Sequence, residues 1–212
     1  MLGVGCGQLV YGIFAGMIYL LQAAIVLNFD GEFNPGAEFV EGVMIKLQWT
    51  TGYTKLQLDE IQEKYSFIFP PDLIDLLKKK RPTNGHDWFD DSSMRQTLAW
   101  PFEGLLFDVE HNQLWWPEWG ERPENSEGRK EILRGVITKA PKLIPLIGHR
   151  FLPETPSERD NPVFSVYGAD VVCYGANLDD YFKREIEGWS AFPFPDEIRY
   201  IPFWSDLVKR NV

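Results

Sequence analysis

An α+β domain, with an antiparallel sheet of about 4-6 strands flanked by helices, is the fold class that the sequence predicts. Three observations lead to it. Helix caps and 3.6-residue apolar spacing mark residues 54–80 and the stretch after Ser126. Short apolar runs of strand period, punctuated by Pro, Gly and Asn, fill residues 105–116 and 143–174. A chain of 212 residues is also long enough to bury one sound core without disulfides or metals.

Thr54 and Gln57 have the spacing of a capping box, and Leu58, Ile61 and Tyr65 then line one face of a first helix. Pro70-Pro71-Asp72 opens a second, because proline is tolerated in the first turn and a carboxylate suits the positive end of the helix dipole. Leu73, Leu76 and Leu77 form its apolar face. Lys78, Lys79, Lys80 and Arg81 are expected to close it before Pro82 and Asn84-Gly85. A short helix from Ser93 to Ala99 is expected to stop at Pro101. Leu105, Phe107 and Val109 alternate with Leu106, Asp108 and Glu110, which predicts a hairpin turning at His111-Asn112 into Leu114-Trp115-Trp116.

After a polar loop at residues 119–128, a helix starting near Ser126 presents Ile132, Leu133, Val136, Ile137 and Ala140 to the core until Pro141. Strands follow at residues 143–151, 163–167 and 171–174. Asn177 then caps a last helix carrying Leu178, Tyr181, Phe182 and Ile186. The aromatic and proline-rich tail, residues 189–212, is expected to lie over the domain surface.

Asp and Glu number 31 against 21 Lys and Arg, a net charge of -10, which disfavours nucleic acid and either steers a basic protein partner or simply keeps the chain in solution. The two cysteines, Cys6 and Cys173, lie far apart and outline no disulfide framework. Cys173, inside Val171-Val172-Cys173-Tyr174, reads as a small buried hydrophobe. His86, His111 and His149 share no ligand-spaced motif, so no metal is expected. Gly3, Gly5 and Gly7 follow no strand and lack the full nucleotide-loop spacing, and Ser165 lacks the flanking glycines of a nucleophile elbow. The pairs Asp90-Asp91 and Asp179-Asp180 read as solvated or capping groups rather than an acid and base. Neither a catalytic residue nor a cofactor is expected.

Recognition is expected instead from an aromatic and acidic group: Asp87, Trp88, Asp90, Asp91, Trp115, Trp116, Glu118, Trp119 and Glu121. Rings supply buried area and carboxylates orient a basic partner. On the predicted strand Trp115 and Trp116 face opposite sides, which leaves one of them hard to hide. His149 and Arg150, read as lying mid-strand, are secondary candidates.

The run A-P-K-L-I-P-L-I-G-H-R-F-L-P from Ala140, then N-P-V-F-S-V-Y and D-V-V-C-Y-G, resembles the strand core of the SUKH superfamily. This is the Smi/Knr-type domain of many bacterial immunity proteins and of a fungal cell-wall regulator. The resemblance takes in Phe69-Pro70-Pro71-Asp72-Leu73, Asn84-Gly85, Trp100-Pro101, Gly104-Leu105-Leu106-Phe107-Asp108, Trp119-Gly120 and the helix at Asp179 to Tyr181, and spans residues 47–187. It implies an immunity-type binding protein, without catalysis, that neutralises a cognate bacterial toxin by occlusion. A regulatory interaction scaffold is the alternative it leaves open. A hydrolase using Asp90 and Asp91 is a third reading.

Residues 1–43 stand apart from a domain at 44–188 and the tail. Residues 1–29 carry no charge, and a helix over residues 9–29 would be about 31 Å long, enough to cross a bilayer, with small residues at Gly12 and Gly16. No Lys or Arg precedes it, and the resemblance begins only after Met44, so an upstream extension, a membrane or export segment and a core helix all remain open. The expected location is the cytoplasm, or a membrane anchored through residues 9–29. Removing residues 1–43 deletes Asp30, Glu32, Glu38 and Glu41 and no basic group, so the remainder stays acidic either way.

Overall fold

Among the residues that the computed structural model describes, 47–188 and 193–210, six short strands form two antiparallel sheets, one of two strands and one of four. The expectations for residues 1–43 and Met44 lie outside the described residues. No helix among the described residues is long and apolar enough to cross a membrane.

Strand β1 (Trp49–Thr51) pairs with β2 (Lys80–Pro82), Thr50 opposite Arg81, and the intervening chain makes α1 (Lys55–Tyr65) and α2 (Pro71–Lys79). The capping box of α1 is formed: Thr54 Oγ1 accepts from the Gln57 N–H, and the Gln57 side chain accepts from the Thr54 N–H at 2.9 Å. Helix α2 starts on Pro71 with Asp72 in its first turn and buries Leu73 and Leu77. Only Lys78 and Lys79 close it. Lys80 and Arg81 continue as β2, where they lie over Trp49 at 4.0 Å and Tyr53 at 4.8 Å, so aromatic faces hold them rather than the helix dipole.

The predicted short helix and hairpin are a single helix, α3 (Asp91–His111), of 21 residues. Pro101 sits inside it. A helix-interior proline costs about 3 kcal/mol or more, but α3 buries Met94, Leu105 and Val109 completely, each contributing about 1.5–3 kcal/mol. The apparent alternation of Leu105, Phe107 and Val109 is therefore a subset of helical spacing: Leu105 and Val109, four apart, face inward and Phe107 faces out. Residues 112–116 form no strand, and a 3₁₀ turn (Pro117–Trp119) leads to α4 (Ser126–Ile137), capped by Asn125 through the Gly128 N–H at 2.7 Å.

The larger sheet is a meander in the order β3 (Leu143–Pro145), β4 (Arg150–Pro153), β5 (Val163–Tyr167) and β6 (Asp170–Gly175). The strand expected over 143–151 is two strands, because Gly148, at φ +53°, turns the chain. β5 and β6 are joined by a two-residue turn at Gly168-Ala169, with Tyr167 opposite Asp170 and Gly168 at φ +60°. Helix α5 (Leu178–Glu187) starts on Asn177 as expected, its side chain accepting from the Asp180 N–H at 2.9 Å. Ile186 is 52% exposed, against expectation, while Arg184 is buried, bonded to Asp180 at 2.8 Å and stacked over Phe194 at 3.7 Å.

Strand alternation splits the core between the two faces of this sheet. Ile144, Leu152, Val163 and Tyr174 pack with α1, α2 and α5, whereas Leu143, Phe151, Phe164, Val166 and Val171 pack with α3 and α4. The second cluster also takes Ile201, Phe203, Trp204 and Leu207, the last two on α6 (Trp204–Arg210), with the Trp204 indole donating to Pro141 O at 2.7 Å. Where it is described, the tail contributes these four side chains to the core.

Candidate functional site

The nine residues expected to form one surface fall at the two ends of α3, whose 21 residues separate them by about 30 Å. At its start, Asp87 accepts from the Phe89 N–H at 3.0 Å and Asp90 caps the helix through the Ser93 N–H at 3.1 Å. Asp91 accepts from Arg95 at 2.9 Å, lies 3.3 Å from Lys64 and takes the Tyr65 hydroxyl. The Arg95 bond, and after it Lys64, holds its carboxyl below the usual carboxylate range. Trp88 corrects the expectation of a surface ring: it is 4% exposed, packed against Tyr65, Phe67 and Phe69 at centroid distances of 5.8, 6.2 and 5.4 Å. These groups build the entry to α3.

At the far end Trp115 and Trp116 do not share a strand. The Trp115 indole donates to Gly120 O at 2.8 Å, and its ring meets Trp119 edge-on at 5.4 Å. Trp116 lies between Trp119 and Phe203, with the Arg210 guanidinium 3.8 Å over its face. Arg210 also binds Glu118 at 2.8 Å. The carboxyl of Glu118 is held low first by a backbone N–H and then by Arg210. Glu121 is exposed. Apart from Glu121, this loop spends its rings and charges on its own chain.

His149 lies in the β3–β4 turn, not mid-strand, and burial together with the neighbouring Arg150 charge pushes its pKa down to about 3. Arg150 is buried between the sheet and α5. It donates to Ser165 Oγ at 2.9 Å, lies 3.8 Å over Tyr174, and has Nε 3.6 Å from Glu185. His86 donates through Nε2 to Gly148 O at 3.0 Å. Cys173 is half-buried rather than buried, its thiol donating to Gly175 O at 3.4 Å, and desolvation raises its pKa to about 12. Among the described residues no three His, Cys, Asp or Glu side chains gather as a metal site. A cavity of about 20 Å³, bordered by Leu73, Leu77, His86 and Leu146, has room for one water and no more.

The feature that sequence reasoning missed is the outward side of α3 between those ends. Trp100 and Phe107 are 40% and 58% exposed there, and Tyr167, from the β5–β6 hairpin, is 45% exposed. Trp100 and Tyr167 meet edge-on at 5.6 Å, and Phe107 lies against His111 at 4.5 Å. The Trp100 indole donates to Val166 O at 3.1 Å. The hairpin tip reaches α3 because Gly104 has no side chain: a Cβ there would stand 2.9 Å from Gly168 Cα. Asp108 Oδ2 then accepts from the Ala169 N–H at 2.6 Å. Gln96, Glu103 and His111 share the exposed side, so the face is aromatic and, His111 apart, bears no basic group.

Comparison with protein-family models, with curated proteins and with solved structures finds no significant match. The spacing of Trp100, Gly104, Phe107 and His111 is the signal that reveals this face, once Pro101 is read as part of the helix.

Proposed function

We propose that this protein is an immunity-type binding module of the SUKH kind that neutralises a basic bacterial toxin by covering it, without catalysis of its own. The observation that carries this reading is the row of exposed aromatic side chains on α3 and the β5–β6 hairpin, set in a chain of net charge -10. Aromatic anchors supply the contact area that slows release, and the negative field speeds encounter with a cationic protein. The motif resemblance supplies the partner class, and the cytoplasm, where a toxin meets its target, is the proposed place of action.

The test pairs the protein with the products of toxin genes adjacent to its own. Binding and protection are expected, and Phe107→Ala is expected to weaken binding roughly 30-fold, the size of an aromatic hot spot, with an unchanged melting temperature. Failure to bind or protect against every adjacent toxin would sink the proposal. Stable binding to a cellular protein, with no toxin bound, would mark a regulatory scaffold instead.

A further inference from the structure

We infer that Trp100, Glu103 and Phe107 form a seat for an arginine side chain of the basic partner, which rests on the α3 face being the docking surface proposed above. The three residues are spaced i, i+3 and i+7, so they stand in one row along the helix, and all are exposed. Glu103 lies between the rings. Neighbouring carboxylates are already engaged by this chain: Asp91 by Lys64 and Arg95, Glu110 by Arg129, Glu118 by Arg210. Among the described residues no cation pairs with Glu103.

The rings are held before any partner arrives. Trp100 is fixed by its bond to Val166 O and by Tyr167, and Phe107 by His111, so little side-chain entropy remains to be lost on binding. Trp100 and Phe107 are two turns apart, about 10 Å along the axis. The Gly168-Ala169 turn, seated on Gly104, borders the gap. A planar guanidinium stacks on an aromatic face while forking onto a carboxylate, a combination that a lysine ammonium does not reproduce. Net charge of -10 favours such a cation and opposes docking of a second copy of this chain.

The experiment is a titration of ¹⁵N-labelled protein with an alanine-rich peptide bearing two arginines, and with its lysine counterpart, followed by NMR. Shifts are expected at the Trp100 indole N–H and the backbone of residues 100–107, with the arginine peptide binding about 3- to 10-fold tighter. Glu103→Gln should erase that preference, and Phe107→Ala should remove the shifts. Equal affinities, or a silent Glu103→Gln while Phe107→Ala still removes the shifts, would overturn the arginine seat and leave the docking face standing. Absence of any shift on α3 would overturn both. Concentration-dependent shifts of the same residues in the protein alone, with a doubled hydrodynamic mass, would assign the face to a second copy and overturn the inference.

Discussion

Gly168→Ala tests how the hairpin is fastened to α3. Gly168 has φ +60°, a conformation that costs an alanine about 1–2 kcal/mol. Its new Cβ would lie well under 3.0 Å from Asp108 Oδ2, the oxygen that accepts from the Ala169 N–H at 2.6 Å. The carboxylate must swing away, and the loss of that charge-assisted bond costs about 1.5–3 kcal/mol. Together the substitution is expected to destabilise by about 2.5–5 kcal/mol, a fall in melting temperature of roughly 5–20 °C for a domain of this size. Asp108→Ala alone should cost that bond together with the one its Oδ1 accepts from the Asn112 side chain. In that background the obstructing oxygen is gone, so Gly168→Ala should cost only the backbone part, about 1–2 kcal/mol. Urea unfolding of the four proteins, followed by circular dichroism, reads the cycle. A cost for Gly168→Ala below about 0.5 kcal/mol, or additivity of the two substitutions, would refute the reasoning.

Trp204→Ala should destabilise by about 3–5 kcal/mol, since it empties a fully packed site and removes the bond to Pro141 O; Trp204→Phe should recover most of it in the same unfolding assay. His149 has a folded pKa pushed to about 3, by burial and then by Arg150, below its unfolded value of about 6.5. Its neutral form is therefore the one the fold favours, so its contribution is complete above about pH 6.5 and is lost as pH falls toward 3. The wild type should lose stability relative to His149→Gln between pH 7.5 and 5, and parallel stability curves would contradict this. In a Cys6→Ser protein, Cys173, raised to about 12, should react with iodoacetamide at pH 8 roughly 10³-fold more slowly than a free thiol near 8.5, and a rate within tenfold of that thiol would contradict the raised pKa.

Local signals were readable where the chemistry that makes an element is itself local. Thr54 with Gln57, Pro71 with Asp72, and Asn177 all start helices by hydrogen bonds or dipole contacts within one turn, and each starts its helix in the structure. The β5–β6 hairpin was nearly as legible, since Gly168-Ala169 supplies the turn and flanking apolar residues the strands. Errors arose where distant contacts decide. Pro101 ends a helix by local rules but is retained because Met94, Leu105 and Val109 find a core on the sheet. Gly148 outweighs the continuous apolar run around it, which moves His149 from a strand into a turn.

The places that the rings and carboxylates of the expected surface take follow from the same physics. A sheet buried on both faces needs two sets of large side chains, so most rings among the described residues are consumed by two cores, Trp88 in one and Phe203 and Trp204 in the other. Carboxylates next to such rings serve caps and ion pairs at helix ends, as Asp90, Asp91 and Glu118 do. On α3 a ring reaches solvent where helical geometry turns it away from the sheet, as at Trp100 and Phe107, which is a property of spacing rather than of aromatic density. Gly104 and Asp108 hold the hairpin tip against α3 and so bring Tyr167 beside Trp100. Loosening that clasp is therefore expected to disperse the aromatic face along with the fold. Changes at Phe107 or Glu103, which touch only the outer side of the helix, should separate recognition from stability.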